Sequence, residues 1–264
     1  MESIREALFK RTFELKESRG TIIADKESAI DIGIASLERN RLELETFAES
    51  NETFLLSLKP VKPPAEPLVV KLMAEAAVMA GVGPMAAVAG VLADLAVKNM
   101  VAAGCRVAVV EDGGEISAVS NAPVDVALAA GDDPLSKRFG FRLTEFPAGV
   151  ATSSGRFSHA LSFGDAEAAT IFCRDAGLAD AAATAVGNVV KGGKPQEAIN
   201  AGIVRAQSIK GVKGVLILYK GFVGTAGKIP QIIKVDLEAP QSDKRPPSYN
   251  RHVFGERFRD KRGI

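Results

Sequence analysis

Three short apolar segments follow one another between residues 105 and 130, and their order limits the fold more than any other feature. They are "CRVAVVE", "EISAVS" and "VDVALAA", separated by "DGG" and "NAP". Segments of this length with turn residues between them are typical of β-strands. Strands joined by such short turns pair antiparallel, because parallel pairing needs a longer crossover connection. The sequence therefore predicts an antiparallel meander rather than a series of βαβ units.

Segments with helical periodicity and further strands surround this meander. The predicted helices cover 25–49, 68–80, 84–103, 174–188 and 194–210. The further predicted strands cover 7–15, 21–25, 166–174, 214–224 and 231–238. Because strands and helices are grouped rather than strictly alternating, the sequence predicts an α+β fold with antiparallel sheets packed by helices.

The composition excludes several classes of protein. With 47% apolar residues the chain can bury a core, and 33 Lys plus Arg nearly balance 32 Asp plus Glu. Such a balance produces no field that attracts nucleic acid or an anionic membrane surface. The sequence also lacks Trp, which leaves little aromatic surface on which bases could stack. We therefore expect neither nucleic acid nor a membrane as a partner.

The organisation of the chain predicts a cytoplasmic protein with one main domain. Residues 1–20 lack the apolar core of a signal peptide. The longest apolar region, 74–103, is broken by glycines and carries Asp94 and Lys98, which favours buried helices over a membrane span. We predict a single domain over 1–240 and a basic, loosely ordered tail over 241–264.

The first candidate site is an acid inside the alanine-rich segment "RDAGLADAAATAVGN", residues 174–188. Asp175 stands where it can cap the helix, whereas Asp180 lies more than one turn further in. Thr184 follows Asp180 at i+4 and shares its helix face. A carboxylate and a hydroxyl side by side are hard ligands that suit Mg²⁺ or Ca²⁺. The alternative is that Asp180 faces solvent and that the alanines serve close helix packing.

The second candidate site is the polar stretch "GVATSSGRFSHALSFGDA". Its small hydroxyl and glycine residues are Thr152, Ser153, Ser154 and Gly155. This composition brings accessible backbone amides together and suits the binding of a phosphate. His159, near the centre of the stretch, is a candidate acid–base group or ligand contact. An ordinary turn explains the hydroxyl run equally well.

The third candidate site is the glycine pair Gly113 and Gly114 in "EDGGEISA". Glycine allows the backbone to approach another group closely, and the acids Glu111, Asp112 and Glu115 surround the pair. A hairpin turn is the simpler explanation.

The two cysteines, Cys105 and Cys173, are too few for a disulfide framework. Each is followed by an arginine, which favours a reactive thiolate if the two side chains face the same way. Neighbours in a strand point to opposite faces, however, and buried cysteines commonly serve as small apolar residues.

Taken in order, these segments resemble the ApbE-like superfamily of FAD:protein FMN transferases and their relatives. Residues 179–185 are similar to its metal-binding Ala-Asp-Ala-x-x-Thr-Ala segment, and "ATSSG" with His159 is similar to its Thr-Ser-Gly segment and downstream histidine. "EDGGEISA" resembles its strand that ends in a Gly-Gly pair. The stretch 89–104 resembles the helix with its Lys-Gly-x-x-x-Asp motif, with Gly90 and Asp94 in place.

The resemblance implies a duplicated, T-fold-like α+β architecture and a set of site residues. It implies that Asp180 and Thr184 hold Mg²⁺ and that His159 is the catalytic residue. The residues that it implies for binding FAD or FMN are Thr152, Ser153, Ser154, Gly155, Gly113, Gly114 and Asp94.

Two departures from the family pattern bear on the activity. The family's lysine falls at Ala89, and "HALSFGD" lacks the Asp-Pro pair that follows the family's histidine. The whole chain resembles the short, cytoplasmic UPF branch of the superfamily, which has been associated with sulfide assimilation into homocysteine. We interpret the pattern as a retained scaffold with a changed substrate.

Three functions are compatible with this sequence. The first is metal-dependent binding or processing of a flavin- or nucleotide-like phosphate ligand, with a transferase activity left open. The second is a sulfur-handling protein that uses Cys105 and Cys173. The third is a non-catalytic scaffold that forms a homo-oligomer or binds a partner, since its small-residue helices permit close packing within or between subunits.

Overall fold

The computed structural model describes residues 8–16, 18–127, 139–154 and 164–234. Its strands are β1 Phe9–Leu15, β2 Ser18–Ala24, β3 Ala108–Asp112, β4 Glu115–Val119, β5 Val124–Ala127, β6 Phe139–Leu143, β7 Ala148–Ser153, β8 Ala168–Cys173, β9 Gly214–Tyr219, β10 Phe222–Gly227 and β11 Gln231–Lys234. Its α-helices are α1 Glu27–Glu49, α2 Glu52–Leu56, α3 Leu68–Ala80, α4 Val88–Ala102, α5 Ala176–Gly187 and α6 Pro195–Gln207. A short 3-10 turn, Pro84–Ala87, leads into α4.

Eight strands form one sheet in the order β1-β2-β3-β4-β7-β8-β9-β10, and every pairing in it is antiparallel. The sheet has two similar halves. In each half, one hairpin is followed by helices and then by a second hairpin: β1-β2 and β3-β4 in the first, β7-β8 and β9-β10 in the second. The predicted duplicated α+β architecture is thereby confirmed.

The two faces of the large sheet bury two separate apolar clusters. Side chains alternate between faces along a strand, so Ala108 and Val110 of β3 pack on the helices whereas Val109 packs on the other side. That other side is covered by a smaller antiparallel sheet in the order β11-β6-β5, which contributes Phe141 and Leu143. The helices therefore lie on one face only, and any site built from helix side chains lies on that face.

The structure differs from the predicted elements in several places. The predicted three-strand meander was wrong at its third strand, because β4 pairs with β7 in the large sheet and β5 pairs with β6 in the smaller one. The short helix α2 was not predicted. The segment predicted as one strand over 214–224 is the hairpin β9-β10, because Lys220 and Gly221 both have positive φ, at 50° and 76°, and reverse the chain. Strands β6 and β7 were not predicted, since their glycines and hydroxyl residues weaken the strand pattern. The predicted tail 241–264 lies outside the described residues, and the single-domain assignment for 1–240 stays a prediction.

Among the described residues, Pro84–Ala102 is the one helical stretch that is long and apolar enough to cross a membrane, with a mean hydropathy of 1.5. It packs on α1, α3, α5, β3 and β4. Val91, Leu92, Ala93 and Met100 of α4 are each at most 3% exposed within the core. These contacts place α4 in the helix layer of the protein, as the interruptions in its sequence predict.

Candidate functional site

The only residues of α5 that are not buried are Asp180 and Thr184, and both are partly exposed. The other ten residues of the helix lie in the core, where its alanines allow close approach of α3, α4 and the sheet. The predicted shared face of Asp180 and Thr184 is thus the one face of α5 that reaches solvent. The alternative, that Asp180 faces solvent and the alanines serve close helix packing, is met in part, because the alanines are packed and Asp180 is partly exposed.

Asp180 is held against the N-terminus of α4. Its Oδ2 accepts a hydrogen bond of 3.1 Å from the backbone N–H of Gly90, in the first turn of that helix. The pKa of Asp180 is raised to about 7; burial is the largest cause, and the carboxylates of Asp112 and Asp94 act in the same direction. The backbone amides of Gly90 and Ala89 act in the opposite direction, because they stabilise the charged form.

The sheet adds acids on the same side. Asp112 and Glu115 are directly paired across the β3-β4 hairpin, so both point to the helix-facing side of the sheet. Burial, followed by the charge of Asp180, raises the pKa of Glu115 well above its usual range. Burial raises the pKa of Asp112 to about 6, against a weak opposing bond of 3.3 Å from Ser18. The site is therefore a partly buried group of interacting carboxylates.

The oxygen donors at this site suit Mg²⁺, which keeps water and phosphate ligands, better than they suit a metal ion that is coordinated by protein side chains alone. Within the described part of the chain, no group of three or more His, Cys, Asp or Glu side chains is arranged to hold a metal ion. Mg²⁺ commonly takes one or two protein carboxylates and completes its shell with water and substrate phosphate oxygens. Asp180 and Thr184, with Glu115 nearby, supply hard oxygen donors of that kind.

Asp94 caps α5 from a different helix. Asp175 occupies the N-cap position, but the prediction that its side chain caps α5 was wrong, because that side chain makes no capping bond. Instead, Asp94 Oδ1 accepts from the N–H of Ala176 at 3.0 Å and Oδ2 accepts from the N–H of Gly177 at 2.9 Å. Ser117 on β4 also donates its hydroxyl to Asp94 Oδ1, at 2.7 Å. Burial nevertheless raises the pKa of Asp94.

The polar stretch after β7 is only partly described. Thr152 shares a hydrogen bond of 2.9 Å with Thr170 on β8, and alternation places it on the face away from the helices. Ser153 is half-buried on the helix-facing side, and Ser154 is 6% exposed. Gly155 and His159 lie outside the described residues. The roles predicted for these residues stay predictions.

Gly113 and Gly114 form the tight turn of the β3-β4 hairpin, with φ of 67° and 110°. Both amides are used within the protein: Gly113 donates to the carbonyl of Arg19, and Gly114 donates to Glu111 Oε1 at 2.9 Å. The turn sets the positions of Asp112 and Glu115 on either side of it. Its predicted contact with a cofactor stays a prediction.

The acids on the sheet were not predicted as part of the site. In the sequence, Asp112 and Glu115 stand out only as acids beside the glycine pair Gly113 and Gly114. Their positions flank a two-residue turn, and that spacing places them opposite each other on one face. The missing information was which face of the hairpin the helices would cover.

Both thiols are buried, and their pKa values are raised. Burial and the hydrogen bond with Asp25 raise the pKa of Cys105 to about 11, and burial raises that of Cys173 to about 12. Arg106 Nε lies 3.5 Å from Asp25 Oδ2, so the positive charge of Arg106 is paired with that carboxylate. These surroundings disfavour a thiolate at either position.

We expect the folded protein to resist thiol alkylation. At pH 8, iodoacetamide should label neither Cys105 nor Cys173 in native protein, and it should label both in denaturant, as counted by intact-mass spectrometry. The variant Cys105→Ser should take up one label in denaturant, at Cys173, and this assigns the two labels of the wild type to the two cysteines. Rapid labelling of the native protein would contradict the buried environments described above.

The fold is similar to that of solved ApbE proteins. The apo form of the flavinyl transferase ApbE from Pseudomonas stutzeri matches with a TM-score of 0.55 and 14% identity, over 86% of this chain and 96% of that protein. The ApbE protein from Thermotoga maritima matches with a TM-score of 0.51 and 12% identity, over 87% and 97%. At such identities the likeness shows that this protein has the ApbE fold.

Sequence comparison shows the family. A family model described as AbpE bacteria matches residues 12–210. A UPF0280 protein from Methanococcus aeolicus is 37% identical over 234 residues, covering 87% of this chain and 94% of the relative. A UPF0280 protein from Methanosarcina barkeri is 38% identical over 231 residues, covering 86% and 90%. The chain belongs to this ApbE-like family, in its UPF0280 branch, which confirms the resemblance found in the sequence.

Proposed function

We propose that this protein binds a flavin- or nucleotide-like ligand through its phosphate groups, with Mg²⁺ held by Asp180 and Thr184. The observation that carries the proposal is that these two residues are the only positions of α5 outside the core, beside the carboxyl of Glu115. Mg²⁺ bound there would neutralise phosphate charge. The names of the solved ApbE structures support a flavin as the ligand, since one is a flavinyl transferase.

The negative charge of the site requires that Mg²⁺ binds with the phosphate ligand or before it. Asp180, Asp112 and Glu115 interact as carboxylates in a partly buried region. A phosphate without a metal would be repelled by them, because like charges in such a region interact strongly. The ligand therefore enters as its Mg²⁺ complex or after Mg²⁺ has bound.

Binding is a better supported activity than FMN transfer. Ala89 stands where the transferases have a lysine, and its methyl group offers no charge to a substrate. The backbone amide of Ala89 acts on Asp180 instead. A group transfer that uses His159 as the acid–base residue is an extension of the proposal rather than its basis.

The sulfur-handling alternative finds no support in the surroundings of the cysteines. Cys105 lies beside Asp25, and Cys173 is paired with Gly149 across β7 and β8. Both are at most 5% exposed. A link with sulfur metabolism would have to pass through the ligand of the acidic site.

The proposal predicts Mg²⁺-dependent stabilisation of the protein by a flavin or adenine nucleotide. Thermal unfolding is followed for metal-free protein with FAD, FMN or ADP, each with and without Mg²⁺. A ligand at about a hundred times its dissociation constant adds about 2.7 kcal/mol to the free energy of unfolding. For a chain of this size that corresponds to an increase in Tm of about 5 °C or more.

The control is an acid outside the site. Glu197 on α6 is exposed and pairs with Lys194, so Glu197→Gln should keep the full Mg²⁺-dependent increase. Asp180→Asn should lose it. Stabilisation that is equal with and without Mg²⁺, or that survives in Asp180→Asn, would refute the metal site.

A further inference from the structure

We propose that Asp94 is the positioning residue of this site, and that it acts by fixing the N-terminus of α5. The inference rests on the proposed function in so far as Asp180 and Thr184 are taken as the Mg²⁺ ligands. Asp94 would then belong to the site without touching the metal or the phosphate ligand.

The geometry of the caps supports this inference. A helix leaves its first amides without partners, and they are normally satisfied by the residue at its own N-cap. In α5 that residue, Asp175, is exposed and makes no side-chain cap. Both oxygens of Asp94 take its place, with bonds of 3.0 and 2.9 Å to Ala176 and Gly177. The start of α5 is therefore fixed by α4 and not by its own sequence.

The capping of α4 and α5 is reciprocal. Asp94 of α4 accepts from the first turn of α5, and Asp180 of α5 accepts from the first turn of α4 through Gly90. The two helices thus meet with both N-termini at one place, each satisfied by a carboxylate from the other. Movement of α5 along its axis would break both sets of bonds at once. The orientation of Asp180 consequently depends on Asp94.

Asp94 is itself anchored to the sheet. Ser117 on β4 donates to Asp94 Oδ1 at 2.7 Å. Since Glu115 lies two residues earlier on the same face of β4, one sheet strand carries both an acid of the site and the anchor of its positioning residue. Sheet, α4 and α5 are joined at Asp94.

The test compares Asp94→Ala with Asp175→Ala in the full chain. By calorimetric titration with Mg²⁺ alone, we expect Asp94→Ala to raise the Mg²⁺ dissociation constant by about 10- to 100-fold. This is the usual effect of removing a group that orients a metal ligand. Asp175→Ala, which removes the adjacent acid without removing a cap, should stay within twofold of the wild type. A folded Asp94→Ala that binds Mg²⁺ within twofold of the wild type would overturn the inference, as would an equal loss in Asp175→Ala.

Amide hydrogen exchange separates this inference from the proposed function. In Asp94→Ala the amide of Gly90 should exchange faster, by about tenfold or more, because the local opening of α4 becomes less costly although Asp94 makes no bond to that amide. In Asp175→Ala it should exchange as in the wild type. If the wild type binds no Mg²⁺, the proposed function fails while the exchange of Gly90 still decides the inference. If Asp94→Ala does not fold, Asp94→Asn, which keeps one acceptor oxygen, gives the same comparison with a smaller effect.

Discussion

Replacing Gly90 with alanine is expected to lower the free energy of unfolding by about 3 kcal/mol. A Cβ atom at this position would lie 2.2 Å from the carbonyl oxygen of Ala176 and 2.8 Å from the amide nitrogen of Gly177. Both are backbone atoms at the start of α5, so no side chain can rotate away to make room. Alanine favours a helix over glycine by about 1 kcal/mol, which is too little to offset this clash.

The loss should extend to the binding site. To accommodate the new methyl group, α4 and α5 must separate where Asp94 and Asp180 bridge them. Loss of a cap costs about 1 kcal/mol for each helix. Chemical denaturation of Gly90→Ala should therefore show both a lower midpoint and loss of Mg²⁺-dependent stabilisation.

Gly193→Ala is the matched control for this substitution. Among the described residues, apart from its two chain neighbours, no atom lies within 4 Å of a Cβ placed there, and its φ is not in the left-handed region. The free energy of unfolding should change by less than about 0.5 kcal/mol. Equal stability of Gly90→Ala and Gly193→Ala would show that α4 and α5 do not meet as described.

Asp180→Asn should make the metal-free protein more stable at pH 8 while abolishing its response to Mg²⁺. In the folded protein the pKa of Asp180 is raised to about 7, whereas the ordinary value is 3.8. Between these values the folded state binds more protons than the unfolded state. Stability therefore falls as the pH rises from about 4 to about 7.

The size of this effect follows from the two pKa values. At about 1.4 kcal/mol for each pH unit, the largest effect is about 4 kcal/mol, and solvent reaching the partly exposed carboxyl reduces it to about 2 kcal/mol. Asparagine carries no charge and its side-chain oxygen still accepts from Gly90. Asp180→Asn should thus exceed the wild type by about 2 kcal/mol at pH 8 and match it near pH 4.

Denaturant titrations at pH 4, 6 and 8, with and without Mg²⁺, measure both parts of this prediction. The exposed acid Glu197 serves again as the control, since Glu197→Gln should follow the wild type at each pH. Asp112, whose pKa is raised to about 6, and Glu115 interact with Asp180, so removal of the Asp180 charge also relieves their repulsion and adds to the gain of Asp180→Asn at pH 8. A wild type that gains stability from pH 4 to pH 8 relative to Asp180→Asn would contradict a strained carboxylate at this position.

Local patterns predicted much of the fold because they depend on neighbouring residues. The hairpin at Gly113 and Gly114 follows from two glycines between alternating segments, and the turn has the predicted form. The shared face of Asp180 and Thr184 follows from the helical repeat alone. Strand β7 was not predicted, because its hydroxyl residues are held by pairing with β8, and such a distant contact cannot be inferred from neighbouring residues.

Sequence patterns alone predicted the β3-β4 hairpin, the helix that carries Asp180 and Thr184, and the resemblance to the ApbE-like family. They did not predict that β5 leaves the meander to pair with β6 in the smaller sheet. Which groups surround the helix depends on tertiary packing. The cap of α5 comes from Asp94, 82 positions earlier than Ala176, and Glu115 reaches the site through the pairing of β3 and β4. A helix amide is satisfied by any acceptor within reach, whether local or distant. The first turns of α4 and α5 contain glycines and pack closely, which brings the distant acceptor Asp94 within reach of the amides of α5.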